Sequence, residues 1–395
     1  MNKIFSKISA VLIALLFLQC SQSWQKALSK GGIQHSSFNQ TIDVEIIKGI
    51  IIIPVTINGK NYRFLFDTGA PTSISNDIQE EFSFKKVSTG KIVDSDNHRK
   101  KVIYVGIESI FLGEVPFLDQ TAFVGDFKAN PILACMEVDG IIGSNLIHFC
   151  NWTIDYQNKT ISFTNQDLLT EDMNLLSQAF TTDDQFNIIT KLKIGDATIS
   201  KLKIDYGSNN SLSMPSEVFL TLVEKNIIKE SFVKKGATQS GITGKVKAET
   251  SKVAYLDTVK IGNKSFIHVA INSNGNGLIG SGILSRSVVS IDWSNKQLYF
   301  STTTKKADLG DYGFNIGEKN DGSLYIQSII DGSSAAEVGI VSNMKILRID
   351  SMDFTSSSTF CDYIDYTKST DSLYIKVVSS DGDISEHTLI KRDLR

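Results

Sequence analysis

The stretch FLFDTGAPTSIS, residues 64–75, closes an apolar run on Asp67, Thr68 and Gly69. Tyr62, Phe64 and Phe66 alternate ahead of Asp67, the period of a strand with one buried face. Gly69 then supplies the backbone freedom a tight turn needs. One Asp in a turn is ordinary. What decides the reading is whether the chain supplies a second carboxylate to face the first.

It does so by repeating itself. DGIIGSNLIHFCNWTIDYQNKTISF (139–163) and NGLIGSGILSRSVVSIDWSNKQLYF (276–300) align without a gap. Each carries two aliphatics, Gly-Ser, a short helical stretch, an Ile-Asp-aromatic strand and an Asn-Lys turn. Gly143 to Asp155 is 12 residues, and so is Gly280 to Asp292. Upstream, FLGEVPF (111–117) matches KIGNKSF (260–266), and VTINGKNYRFLFDTGA (55–70) matches LKIGDATISKLKIDYGS (192–208). Asp67 lies 76 residues before Gly143, and Asp205 lies 75 before Gly280. Leu202 and Ile204 alternate before Asp205 as Phe64 and Phe66 do before Asp67. The blander reading of the repeat is two similar β units stacked together. The sharper one is that it exists to bring Asp67 and Asp205 into one site.

FDTGAPTSIS (66–75), IDYGSNNSLSMP (204–215), GIIG (140–143) and GLIG (277–280) together resemble the aspartic proteases over roughly residues 45–303. The resemblance is pepsin-like in having two lobes in one chain and retropepsin-like in the compactness of each. It implies a mostly β, bilobed acid-protease fold, with lobes at 43–170 and 171–303. It also implies an aspartic endopeptidase whose catalytic dyad is Asp67 and Asp205. Thr68, Gly69, Tyr206 and Gly207 would support the dyad from the two turns, and Gly143 and Gly280 would pack beneath them. Two carboxylates about 3 Å apart cannot both ionise, so they share a proton. The ionised member activates a water and the protonated one polarises the scissile carbonyl. One residue departs from the family: Tyr206 stands where a Thr or Ser hydroxyl usually bonds across to the opposite turn. That opens the alternative of an impaired pseudoprotease which binds peptides without cutting them. The polar, Gly-bearing segments 88–101 and 238–249 are expected either as hairpins reaching over a cleft or as plain surface loops.

Beyond a polar linker after Phe300, residues 308–395 follow a different pattern. DYGF (311–314), IIDGSSAAEVGI (329–340) and MKILRIDSMDF (344–354) resemble a PDZ domain, with a helix expected near Thr359–Tyr366. The resemblance implies a peptide ligand added as a strand near the N–H groups of Tyr312, Gly313 and Phe314. Asp311 departs from the family's Gly and puts a negative charge beside that site. A third reading therefore makes the chain a scaffold whose C-terminal module does the binding.

Composition is that of a globular protein, and the net charge of −3 points to no nucleic-acid partner. Five scattered His residues give no metal-ligand spacing, and neither metal nor cofactor is expected. No Gly-x-Ser-Gly-Gly turn supports a serine protease. Paired carboxylates also serve sugar hydrolysis, but turn-borne Asp residues in duplicated halves fit that less well.

Lys3 and Lys7 precede an apolar stretch from Ile8 to Leu18, which reads as an export signal over residues 1–20. Cys20 after ALLFLQ resembles a bacterial lipoprotein site, so the expectation is an envelope or extracellular protein, with a lipid on Cys20 or a plain signal peptide. Residues 21–42 are expected as a flexible tether. The remaining cysteines, Cys135, Cys150 and Cys361, are odd in number and give no disulfide framework. Cys135 and Cys150 are open to pairing in an oxidising compartment, or else are small buried apolar residues.

Overall fold

The chain is mostly β. Its computed structural model describes residues 23–34, 37–168, 176–239, 241–302, 310–366 and 371–392. Cys20 and the expected export signal lie outside these residues.

The first Asp strand, Lys60–Phe66, pairs with Ile50–Ile57 on one side and runs parallel to Gly140–Ile142 on the other. The second Asp strand, Ala197–Asp205, pairs with Ile188–Ile194 and runs parallel to Leu278–Gly280. The registers match: Ile142 sits opposite Phe66, and Ile279 opposite Ile204. Each landmark glycine is followed by one helical turn, Ser144–Ile147 or Ser281–Leu284. The repeat in the sequence is thus a repeat of strand pairings.

A six-stranded sheet joins the two halves. Asn151–Asp155 pairs antiparallel with Val289–Asp292, and Thr153 and Ser290 bond through their hydroxyls at 2.8 Å. One apolar core runs beneath both halves, with Phe66, Trp152, Ile204, Tyr206, Ile279 and Ile291 buried in it. Because this core is shared, each Asp turn is fixed relative to the other rather than carried on an independent unit.

The expected alternation ends early in the first Asp strand. Leu65 is buried as well as Phe64 and Phe66, because its outer face packs with Ile50, Ile52 and Ile141 in a cluster that also contains Ile326, Ile346 and Phe360. The C-terminal segment therefore covers a face that a free-standing half would expose. It also continues a sheet of the second half: Phe232–Thr238 pairs antiparallel with Leu324–Ile330, setting Lys234 opposite Ile330 and Gly236 opposite Ser328. Near the expected Thr359–Tyr366, a helix spans Phe360–Asp365, its start fixed by reciprocal Thr359 and Asp362 capping bonds.

Two expectations are corrected. Residues 23–34 and 37–42 are no loose tether: Asn39–Asp43 pairs with Thr160–Thr164, and the helix Trp24–Leu28 buries Ala27 and Leu28, the latter against Val102 and Tyr104. Polar composition hid this because a short edge strand needs only backbone bonds. Cys135 pairs with Cys361, not with Cys150. Cys150 is a buried free thiol, its pKa pushed well up by burial, as the small-apolar alternative has it.

Candidate active site

Both Asp strands end at the same place. Asp67 and Asp205 are half-buried, and each carboxyl group lies against the glycine of the opposite turn. Each turn closes on its own carboxylate: the Gly69 N–H donates to Asp67 Oδ1 at 2.6 Å, and the Gly207 N–H to Asp205 Oδ1 at 3.0 Å. The glycines are required by the opposite half. A Cβ on Gly69 would lie 2.6 Å from the Asp205 carboxyl carbon, and one on Gly207 would lie 2.4 Å from that of Asp67. Each carboxylate thus presses on the other half's glycine, an arrangement only residues without a side chain allow.

Gly143 and Gly280 hold the turns from below. The Ser144 N–H donates to Ala70 O and the Ser281 N–H to Ser208 O, both at 2.8 Å. A Cβ on Gly143 would lie 2.2 Å from Thr72 N, and one on Gly280 would lie 2.3 Å from Asn210 O. Asn145 fixes the first turn further, its Oδ1 accepting from Thr72 N at 2.7 Å while its Nδ2 donates to Thr121 O. Sequence reasoning missed Asn145; its single signal is a polar residue in the buried turn after Gly143.

The hydroxyl link between the two turns is one-sided. Thr68 Oγ1 donates to Ile204 O at 2.7 Å and accepts from the Tyr206 N–H at 3.2 Å. Tyr206 supports the site through this backbone group. Its side chain turns down into the core, fully buried against Phe66 and Tyr156, and its hydroxyl has no hydrogen-bond partner among the described residues. A Tyr at this position therefore leaves the Thr68 bonds intact. Replacing Tyr206 by Phe removes only an unmatched hydroxyl, and the variant is expected to hold or gain stability. Tyr206→Thr leaves a ring-sized void and is expected to lose roughly 3 kcal/mol. Urea unfolding midpoints measure both; a Thr variant as stable as the parent would show that the ring is not a core element.

Desolvation dominates the acid–base behaviour of the pair. Burial raises the Asp67 carboxyl most, and the Asp205 charge beside it raises it further, to about 8; the Gly69 N–H and the Lys203 charge oppose this. Asp205 is also raised, by burial first, against the lowering effects of Lys203, Asp67 and the Gly207 and Ser208 N–H groups. The protons belong to the pair, which keeps one well above the ordinary carboxylate range. A site poised with one carboxyl and one carboxylate can donate and accept a proton at once.

Both polar segments 88–101 and 238–249 belong to hairpins. Lys86–Val93 pairs with Arg99–Leu112, and Phe232–Thr238 with Lys247–Ile261. Their tips meet: the Gly241 N–H donates to Asp96 Oδ2 at 2.8 Å, and the Thr243 hydroxyl to Asp94 Oδ2. Asn130 Nδ2 clasps Gln239 O and Gly241 O from the first half.

Residues 53–146 match the family model described as aspartyl protease. That span contains the first Asp turn, Gly143 and Asn145. With the mostly β architecture it supports an aspartyl-protease-like hydrolase. No curated protein matches the chain.

The C-terminal residues singled out from the sequence form a tight loop. The Gly313 N–H is taken by Asp311 Oδ1 at 2.9 Å, Tyr312 O accepts from Ala335 N, and Phe314 begins the strand Phe314–Glu318. Among the described residues no three His, Cys, Asp or Glu side chains cluster as a metal site, and no helix is long and apolar enough to cross a membrane.

Proposed function

We propose that the chain is an aspartic endopeptidase with two lobes in one chain, whose dyad is Asp67 and Asp205. The observation that carries this reading is the reciprocal fit of the turns, each carboxylate against the opposite half's glycine. In this reading a water held by the ionised member attacks the peptide carbonyl, which the protonated member polarises. No covalent enzyme intermediate forms. Thr68, Gly69, Gly207 and the Tyr206 N–H keep the carboxyls apposed, and Gly143 and Gly280 fix the turns they ride on. The joined hairpin tips would roof the peptide channel and open to admit a chain. The substrate is an extended peptide or unfolded protein.

Residues 308–395 would be a PDZ-like module. Its carboxylate-capturing N–H at Gly313 is already engaged by Asp311, which favours a docking role over capture of a free C-terminus. The Cys135–Cys361 bond is of the kind that persists in an oxidising compartment, which supports export, with Cys20 as the proposed lipid-bearing residue.

The test is cleavage of an unfolded protein such as reduced casein across pH 3 to 9. The expected result is cutting that a hydroxyl-bearing peptide transition-state mimic abolishes. Tight binding of the mimic without turnover would favour the pseudoprotease alternative, and neither binding nor cutting would overturn the reading.

A further inference from the structure

Besides Thr68 and Tyr206, the two halves differ at another matched position beside the dyad. Two residues before Asp67 stands Leu65; two residues before Asp205 stands Lys203. Side chains two apart on a strand share a face, so Lys203 lies on the Asp205 side of its strand. Leu65 is buried under the C-terminal segment. Lys203 instead is half-buried and reaches across to the other half, where its Nζ donates to Gly69 O at 3.0 Å. The same residue, Gly69, gives its N–H to Asp67 Oδ1 and abuts the Asp205 carboxyl. Among the described residues three bonds therefore cross between the turns: two through Thr68 Oγ1 and one from Lys203. The symmetric partner of Thr68 would have been a hydroxyl at residue 206, and that hydroxyl points into the core.

We propose that Lys203 is a positioning residue of the dyad, tying the first Asp turn to the second half in place of the hydroxyl that Tyr206 turns away and holding a positive charge beside both carboxyls. Among the described residues, the charged groups bearing on either carboxyl are the other carboxyl and Lys203, while Tyr156 and Tyr206 are neutral phenols below them. The ammonium lowers both carboxyl pKa values, so it favours the ionised member that burial opposes. A pair left without it would bind its protons more tightly, and the pH window of the singly ionised state would move upward.

This inference rests on the dyad reading above, and its test separates the two. The full chain, Lys203→Met and Lys203→Arg are compared by carbon NMR titration of labelled Asp carboxyls, assigned with Asp67→Asn and Asp205→Asn, and by the pH profile of kcat/KM on casein. Lys203→Met is expected to move the pair's titration up by roughly one pH unit. On the acid limb that reads as about a tenfold loss in kcat/KM at fixed pH. Lys203→Arg is expected to keep both near the parent values. An unmoved titration in Lys203→Met, or an Arg variant shifted as far as Met, overturns the proposal. If the parent cuts nothing while Lys203→Met still moves the titration, the peptidase reading fails and the role of Lys203 stands. Should Lys203→Met not fold, Lys203→Gln, neutral and still able to donate to Gly69 O, is read by the same titration.

Discussion

Asp67→Asn is expected to lose peptide cleavage by a factor of at least about 100 to 10,000, and to be more stable than the parent at pH 8. The two effects have one origin. Burial and mutual repulsion hold the pair's proton up to about 8, whereas an unfolded Asp releases its proton near 4. A carboxyl whose folded pKa is raised stabilises the fold fully below the unfolded value. That contribution is lost as pH climbs through the folded value. Between those limits the parent should lose up to about 1.4 kcal/mol of stability per pH unit for each proton the folded state retains. Asn removes one titrating group, its carbonyl can still accept from Gly69 N, and its amide can donate to Asp205. Thermal unfolding at pH 4 and pH 8, beside casein cleavage, measures both effects, with Asp205→Asn expected to behave alike. A dead variant that is also less stable at pH 8 would point to a broken turn rather than a lost proton. A variant that cuts at the parent's rate would remove Asp67 from the chemistry.

The parts legible in the sequence are those written as local spacing. Asp67, Asp205, Gly143 and Gly280 stand at matched intervals because each half builds the same strand, turn and crossing strand, and such register is set over a few tens of residues. What stayed hidden depends on three-dimensional direction. A Tyr at residue 206 announces a displaced hydroxyl, but not that its ring drops between Phe66 and Tyr156. Lys203 reads as an ordinary solvent-side residue of an alternating strand; only its alignment with Leu65 marks it as unusual. The clasp of Asp94 and Asp96 on Gly241 and Thr243 joins residues some 145 positions apart, so no periodicity signals it. The pairing of Cys135 with Cys361 spans 226 residues and follows from how the helices Pro131–Cys135 and Phe360–Asp365 pack.

That bond carries the other large expected effect. Replacing Cys135 and Cys361 together by Ser should lower stability by up to roughly 5 kcal/mol, since the closed loop is long and chain entropy grows with its length. Other contacts hold the C-terminal segment as well. Lys48 Nζ donates to Tyr366 O at 2.7 Å, and the shared cluster around Leu65, Met136 and Phe360 stays apolar. The segment is therefore expected to remain docked in the variant but to open far more often. Opening should be felt in the second-half hairpin, because Lys234, Lys235 and Gly236 pair directly with Ile330, Ile329 and Ser328. That hairpin carries the tip that grips Asp94 and Asp96. Hydrogen exchange should thus accelerate over residues 232–238 and 324–330 in the double-Ser variant, and in the parent under reductant, while the shared sheet around Trp152 and Ile291 stays protected. Unchanged exchange in the hairpin together with an unchanged unfolding midpoint would show that the cross-link braces nothing, and that the strand pairing alone holds the segment in place.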